Sequence, residues 1–166
     1  MEMKNHPLML TLKDVISGNG FLCGVTLSGR ALMRQEDGKW WMYGVRPAGL
    51  AGSGETVDET FSDFRKRYKE ELFDIAEEAS TFEGFRLEVQ RFFDEPDPTD
   101  EGLWNEALLE IRDGQDETPA EPFSRLLRES PESNPAKIII DRLDGANMKF
   151  KPSDNVSDTL TIPLAA

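Results

Sequence analysis

The densest run of reactive side chains lies between residues 94 and 117. Asp94, Glu95, Asp97, Asp100, Glu101, Glu106, Glu110, Asp113, Asp116 and Glu117 stand there against a single base, Arg112. Ten carboxylates on so short a stretch suit a basic partner, which they attract over a distance and orient. Glu106, Glu110 and Asp113 follow at i, i+4 and i+7. On a helix that spacing puts them on one face, where converging carboxylates hold a hard cation. A solvated helix face explains the same spacing with no metal, and we expect none. The reading therefore places Asp94, Glu95, Asp97, Asp100, Glu101, Glu106, Glu110 and Asp113 at a partner surface.

Other chemistries have thinner support. Arg65, Lys66, Arg67 and Lys69 are the one local cluster of positive charge and the candidate contact for a nucleic acid. Asp63, Glu70 and Glu71 stand beside them, so ion pairing on a wet helix face competes with that role. The net charge of −13 opposes general affinity for phosphate backbones and for anionic membranes. His6 is the only histidine and Cys23 the only cysteine. His6 precedes Pro7 in what reads as a loose end, which gives no fixed geometry for proton transfer. Cys23 sits in an apolar, strand-like stretch with no neighbouring base, where cysteine behaves as a small hydrophobe. No CxxC, HExxH or Walker pattern occurs. Gly49, Gly52 and Gly54 lie where a phosphate loop would, but their spacing fits a flexible turn instead. No catalytic residue and no cofactor is expected.

These residues need elements to hold them. The strongest is a helix over residues 54–79. Val57, Phe61, Phe64, Tyr68, Leu72, Ile75 and Ala79 recur every three or four positions, and share a stripe about 80° wide. Thr56 caps the first turn, Glu59 completes a capping box by reaching back to the Thr56 amide, and Asp58 and Glu59 suit the positive end of the dipole. Before it, residues 30–46 predict a β-hairpin. Asp37-Gly38 is its turn, and Lys39 to Val45, with Trp40, Trp41 and Tyr43, is its second strand. Trp40, Met42 and Gly44 fall on one face of that strand; Trp41, Tyr43 and Val45 fall on the other. A short third strand over Leu50 to Ser53 leads into the helix.

Upstream, Leu8 to Leu12 predicts a short strand, residues 17–20 a turn, and residues 21–36 one or two strands bent near Ser28-Gly29. Downstream, Phe85 to Val89 would pass as a strand, but the favoured reading is a second helix to Asp94 behind Ser80 and Glu83, with Phe82, Phe85, Val89, Phe92 and Phe93 as its apolar residues. A third opens at Thr99, carries Leu103, Trp104, Ala107, Leu108 and Ile111, and stops at Gly114. Residues 123–128 read as one or two helical turns. Lys137 to Leu143 reads as a strand, Met148 to Lys151 as a return strand, and Asp158 to Leu164 as an edge strand. The fold class is α+β: a small antiparallel sheet with a long amphipathic helix on one face, plus an acidic C-terminal extension with helices and strands. We divide the chain into a βββα core over residues 1–80 and an extension over 81–166, packed on that core. The absence of a signal-like N-terminus, of a long apolar run and of a second cysteine leads us to expect a cytoplasmic protein.

The run from Gly29 to Leu72 resembles the N-terminal part of HicB-like antitoxins. Asp37-Gly38 matches their hairpin turn, Trp40 to Val45 their second strand, and Gly54-Glu55-Thr56 with Glu59 their helix start; Arg46 to Leu50 stands where the family has a PDLPG-like turn. The resemblance covers about residues 29–76. It implies a core related in shape to double-stranded-RNA-binding folds, and a non-enzymatic protein that binds and neutralises a small basic ribonuclease toxin. A homodimer is the expected assembly. Residues 80–166 show no DNA-binding segment of the kind that family often adds. The alternatives are another role for the same fold: a carboxylate- or metal-dependent enzyme at Glu106, Glu110 and Asp113, or an RNA-contacting protein using Arg65 to Lys69.

Overall fold

The computed structural model describes residues 4–95, 97–114, 122–123, 126–144 and 158–163. The expected return strand over 148–151 lies outside them. The fold is α+β, with a mixed sheet and three helices.

The N-terminal residues are the first departure from expectation. Strand β1 spans His6–Ser17 and pairs over its whole length with β2, Leu22–Glu36, in a hairpin from His6↔Met33 to Ser17↔Leu22. His6 is thus a strand residue, not part of a loose end. Nothing local to residues 6 and 7 requires this; the long partner does. Strand β3, Lys39–Arg46, follows the Asp37-Gly38 turn, where both residues have positive φ (52° and 79°) as that hairpin geometry requires. A cis Arg46-Pro47 bond leads into β4, Ala48–Gly54, which pairs with β3 and forms one edge of the sheet.

Strand β2 is long enough to divide one side between two partners. Residues 30–36 pair with β3, and Cys23 to Ser28 pair with a later strand, β6, Lys137–Arg142. A bulge lies between Arg30 and Ala31, where the partner changes, close to the predicted bend. On the other side β1 meets β7, Thr159–Pro163. This was expected at an edge but is flanked by β1 and, in parallel, by the two-residue β5, Arg128–Glu129. Among the described residues the sheet is therefore larger than expected, with seven strands, and mixed rather than antiparallel. No helix is formed by the described part of 123–128: a single turn closes from the Leu126 N–H to the Phe123 carbonyl at 3.1 Å, and β5 begins.

The helices take the two faces. Helix α1, Val57–Glu78, buries Val57, Thr60, Phe64, Tyr68, Leu72 and Ala76. The buried line is centred slightly to one side of the expected stripe, so Phe61, Ile75 and Ala79 flank the core. The Thr56 hydroxyl accepts the Glu59 N–H at 3.1 Å, as expected. Glu59, however, accepts from the Glu55 N–H at 3.0 Å rather than from Thr56, because the chain runs extended through Thr56 into the helix. Helix α2, Phe82–Asp94, is capped by Thr81 in place of Ser80, and buries Phe85, Val89 and Phe93. Both helices pack on the face formed by Leu8, Leu10, Leu12, Ile16, Cys23, Val25, Leu27 and Met42. The opposite face carries Met9, Leu32 and Val45. Helix α3, Pro98–Gly114, covers these with Trp104 and Ala107. Its cap is Asp97, not Thr99: one carboxylate oxygen accepts from the Thr99 and Asp100 amides, and Pro98 takes the first helical position, where no donor is needed. Trp104 Nε1 donates to the Leu8 carbonyl at 3.2 Å, which pins α3 to β1. Among the described residues, no helix is long and apolar enough to cross a membrane.

Candidate functional site

The basic cluster of α1 does not act as one surface. Arg65 turns inward. Its Nη1 and Nη2 donate to the two carboxylate oxygens of Asp14 at 3.0 and 2.9 Å, Nε donates to Asp158 at 2.8 Å, and Nη2 also reaches the Lys13 carbonyl. Burial pulls the guanidinium pKa down, but the two aspartates outweigh it and leave it raised. Arg65 thus fastens α1 to β1 and to the start of β7. Tyr68 lies beneath it, with its hydroxyl buried and without a hydrogen-bond partner among the described residues. Lys66 faces Glu70 at 4.0 Å and Arg67 holds Asp63 at 3.3 Å, the i,i+4 pairing that competed with a nucleic-acid role. Lys69 is exposed.

The acidic run is also divided. Asp94 binds Arg46 at 3.2 Å and accepts from Gln90. Glu95 is exposed at the C-cap of α2. Asp97 is occupied as a helix cap, and Glu101 lies half-buried in the first turn of α3. Asp100 has its carboxyl pKa raised, first by burial and then by neighbouring Asp97, against the pull of Arg34. Glu106 and Glu110 face solvent, and the side chain of Asp113 lies outside the described residues. Among the described residues no three carboxylate, histidine or cysteine side chains gather as a metal would need. Cys23 is fully buried, and burial, helped by Asp144, pushes its thiol up to about 11, far from a reactive thiolate.

Two further places stand out. One is the outer edge of β4. The Ser53 N–H does not bond to β3; it donates to Asp63 at 2.9 Å. This bond is the leading cause that holds the Asp63 carboxyl low, with burial opposing and Arg67 assisting. Backbone groups alternate sides along an antiparallel strand, so Ala51, in register with Tyr43 and two residues from Ser53, also turns its N–H and C=O away from β3. Outside the edge runs an open groove of about 380 Å³ between Gly49, Leu50 and Ala51 on the strand and Arg67, Glu70, Glu71 and Asp74 on α1. The approach of helix to strand is close: a Cβ on Gly52 would lie 2.5 Å from the Phe64 backbone nitrogen, so only glycine fits. Of the glycines read in sequence as a flexible turn, Gly49 has the positive φ (86°) of such a turn, while Gly52 and Gly54 lie in the strand against α1.

The second place is a cavity of about 160 Å³ where the start of β1 meets the last turns of α3 and Phe123. His6 lines it, with its ring 4.4 Å from Phe123 and 6.1 Å from Trp40. Burial, aided by Lys4, lowers the imidazole pKa to about 4, so the ring is neutral at physiological pH. The Leu8, Leu10, Leu12 alternation was the available signal that a strand continued up to this histidine. What gathers round it comes from residues 4–8, 107–111, 123, 128 and 162, and no local pattern joins them.

The chain was compared with protein-family models, with curated proteins and with solved structures, and it matches none of them.

Proposed function

We propose that the protein is a non-enzymatic binding module, built on a HicB-like hairpin-and-helix core, that covers a small basic protein. A ribonuclease toxin is the partner the resemblance implies. The observation that carries this reading is the open edge of β4 beside the acidic side of α1. Ala51 offers an outward N–H and C=O to an incoming strand, and Glu70, Glu71 and Asp74 line the groove that such a strand would enter. Main-chain bonds would supply affinity, and the carboxylates would select basic side chains. The Asp63 clasp on Ser53 protects one end of the edge. The overall charge of −13 adds long-range attraction.

The test is native mass spectrometry of the protein isolated gently from its host, followed by reconstitution with the companion found. A stoichiometric basic companion is expected. Its association should slow markedly with added salt. It should be lost in Ala51→Pro, which removes the edge donor without touching the core. A complex indifferent to salt and to Ala51→Pro, or homo-oligomers alone, would refute the reading.

A further inference from the structure

The cavity beside His6 combines three features that seldom occur together by accident of packing. One part of its wall is apolar, and the space is ring-sized. Leu8, Ala107, Phe123 and Ile162 are almost fully buried, and 160 Å³ is comparable to an engineered cavity that takes up benzene, of about 150 Å³. One wall is aromatic and well supported, since Trp40 backs both His6 and Phe123 at 6.1 and 5.6 Å. An apolar ring is favoured there by area and by offset or edge contacts.

The third feature is polar and unanswered. Asn5 lines the cavity, and its Oδ1 is buried with no hydrogen-bond partner among the described residues. A buried acceptor without a donor is costly, and folded proteins rarely leave one. The amide fixes which partner is missing: a carbonyl oxygen needs an N–H or O–H. Around the same space stand Lys4, exposed and cationic, Arg128 and Glu110. Lys4 is suited to an acidic group and Glu110 to a further donor. The neutral His6 adds one donor and one acceptor without adding charge.

We propose that this cavity binds a small single-ring aromatic molecule carrying both an N–H donor and an acidic group, of the aminobenzoate class. The ring lies against Phe123 and His6, the donor satisfies Asn5 Oδ1, and the acid meets the basic rim at Lys4. The site is independent of the β4 edge. It is formed by β1, α3 and β7, at the side of the sheet away from β4.

The test uses the full chain and the three aminobenzoate isomers, followed by amide and side-chain NMR shifts. At least one isomer should saturate, with a Kd in the sub-millimolar range expected for a ligand of about ten heavy atoms. The shifts should centre on Asn5, His6, Leu8, Ala107 and Phe123. Benzoate, which lacks the donor, should bind about tenfold more weakly or worse. Asn5→Ala should reduce the preference for the aminobenzoate over benzoate to within about twofold. The ligand pair needs no variant, so the proposal stays testable even if Asn5→Ala fails to fold. No saturable binding by any isomer would overturn it. So would equal binding of benzoate, or shifts centred away from these residues.

Discussion

Replacing Arg65 by methionine keeps much of the aliphatic stem over Tyr68 and removes the charge. The Asp14 side chain is only 1% exposed, and it loses both of its bonds from the guanidinium, at 2.9 and 3.0 Å. Removing one member of a buried pair leaves an uncompensated charge, which costs about 3–5 kcal/mol. Asp158 also loses its partner, but at 33% exposure water replaces most of that bond, and it adds little. For a chain of this size each kcal/mol moves Tm by about 2–4 °C, so Arg65→Met should lower it by about 6–20 °C. Urea unfolding should give the same loss with an unchanged slope, because the surface exposed on unfolding is unchanged. The double variant Asp14→Leu, Arg65→Met should recover most of the stability, since neither charge is left alone. The cycle should show coupling of about 2–3 kcal/mol. If Arg65→Met falls within about 1 kcal/mol of the parent, or if the two single costs simply add, the view of Arg65 as an internal fastener is wrong. The residue would then be available at the surface.

Two further outcomes follow from other contacts. Gly52→Ala sets a methyl group 2.5 Å from the Phe64 nitrogen and 2.8 Å from its Cα. The backbone cannot rotate away, so α1 must shift from β4. A loss of about 1–3 kcal/mol or more, with faster hydrogen exchange in β4, should follow; unchanged exchange would count against so close an approach. His6 should make folding sensitive to acid. Its folded pKa, about 4, lies below the ordinary imidazole value of 6.5, so the unfolded chain takes up a proton first as pH falls. Stability from this group is complete above about pH 6.5 and is lost toward pH 4, by about 1–2 kcal/mol after allowing for its partial exposure. His6→Phe should flatten that part of a urea-midpoint profile and leave the carboxylate-driven part. Parallel profiles for the two proteins would show that the imidazole is not held neutral by the fold.

Much of the central scaffold was legible in the residues. The period of α1, the Asp37-Gly38 hairpin and the apolar spacing of α2 and α3 are local, and local hydrogen bonding and propensity act over a few residues. Capping was legible to within a residue or two: Thr81 replaces Ser80, and Asp97 replaces Thr99. Candidate functional residues were less legible. Arg65 reads as a surface base in any linear inspection, and its burial depends on Asp14, 51 residues away. The acidic run reads as one patch, yet its members separate into an ion pair, a cap and exposed helix positions.

By itself the sequence determined the α+β class, the position of the three helices, the hairpin turn and which residues of β3 share a face. All of these follow from short-range periodicity and turn chemistry. Only the tertiary structure decided that β2 is shared by β3 and β6, that β7 lies inside the sheet, and that α3 takes the face opposite α1. It alone also left the β4 edge open and joined His6 to α3 and Phe123 around a cavity. Strand pairing and cavity walls join residues far apart in the chain, so the partners that complete them have no signature at either position.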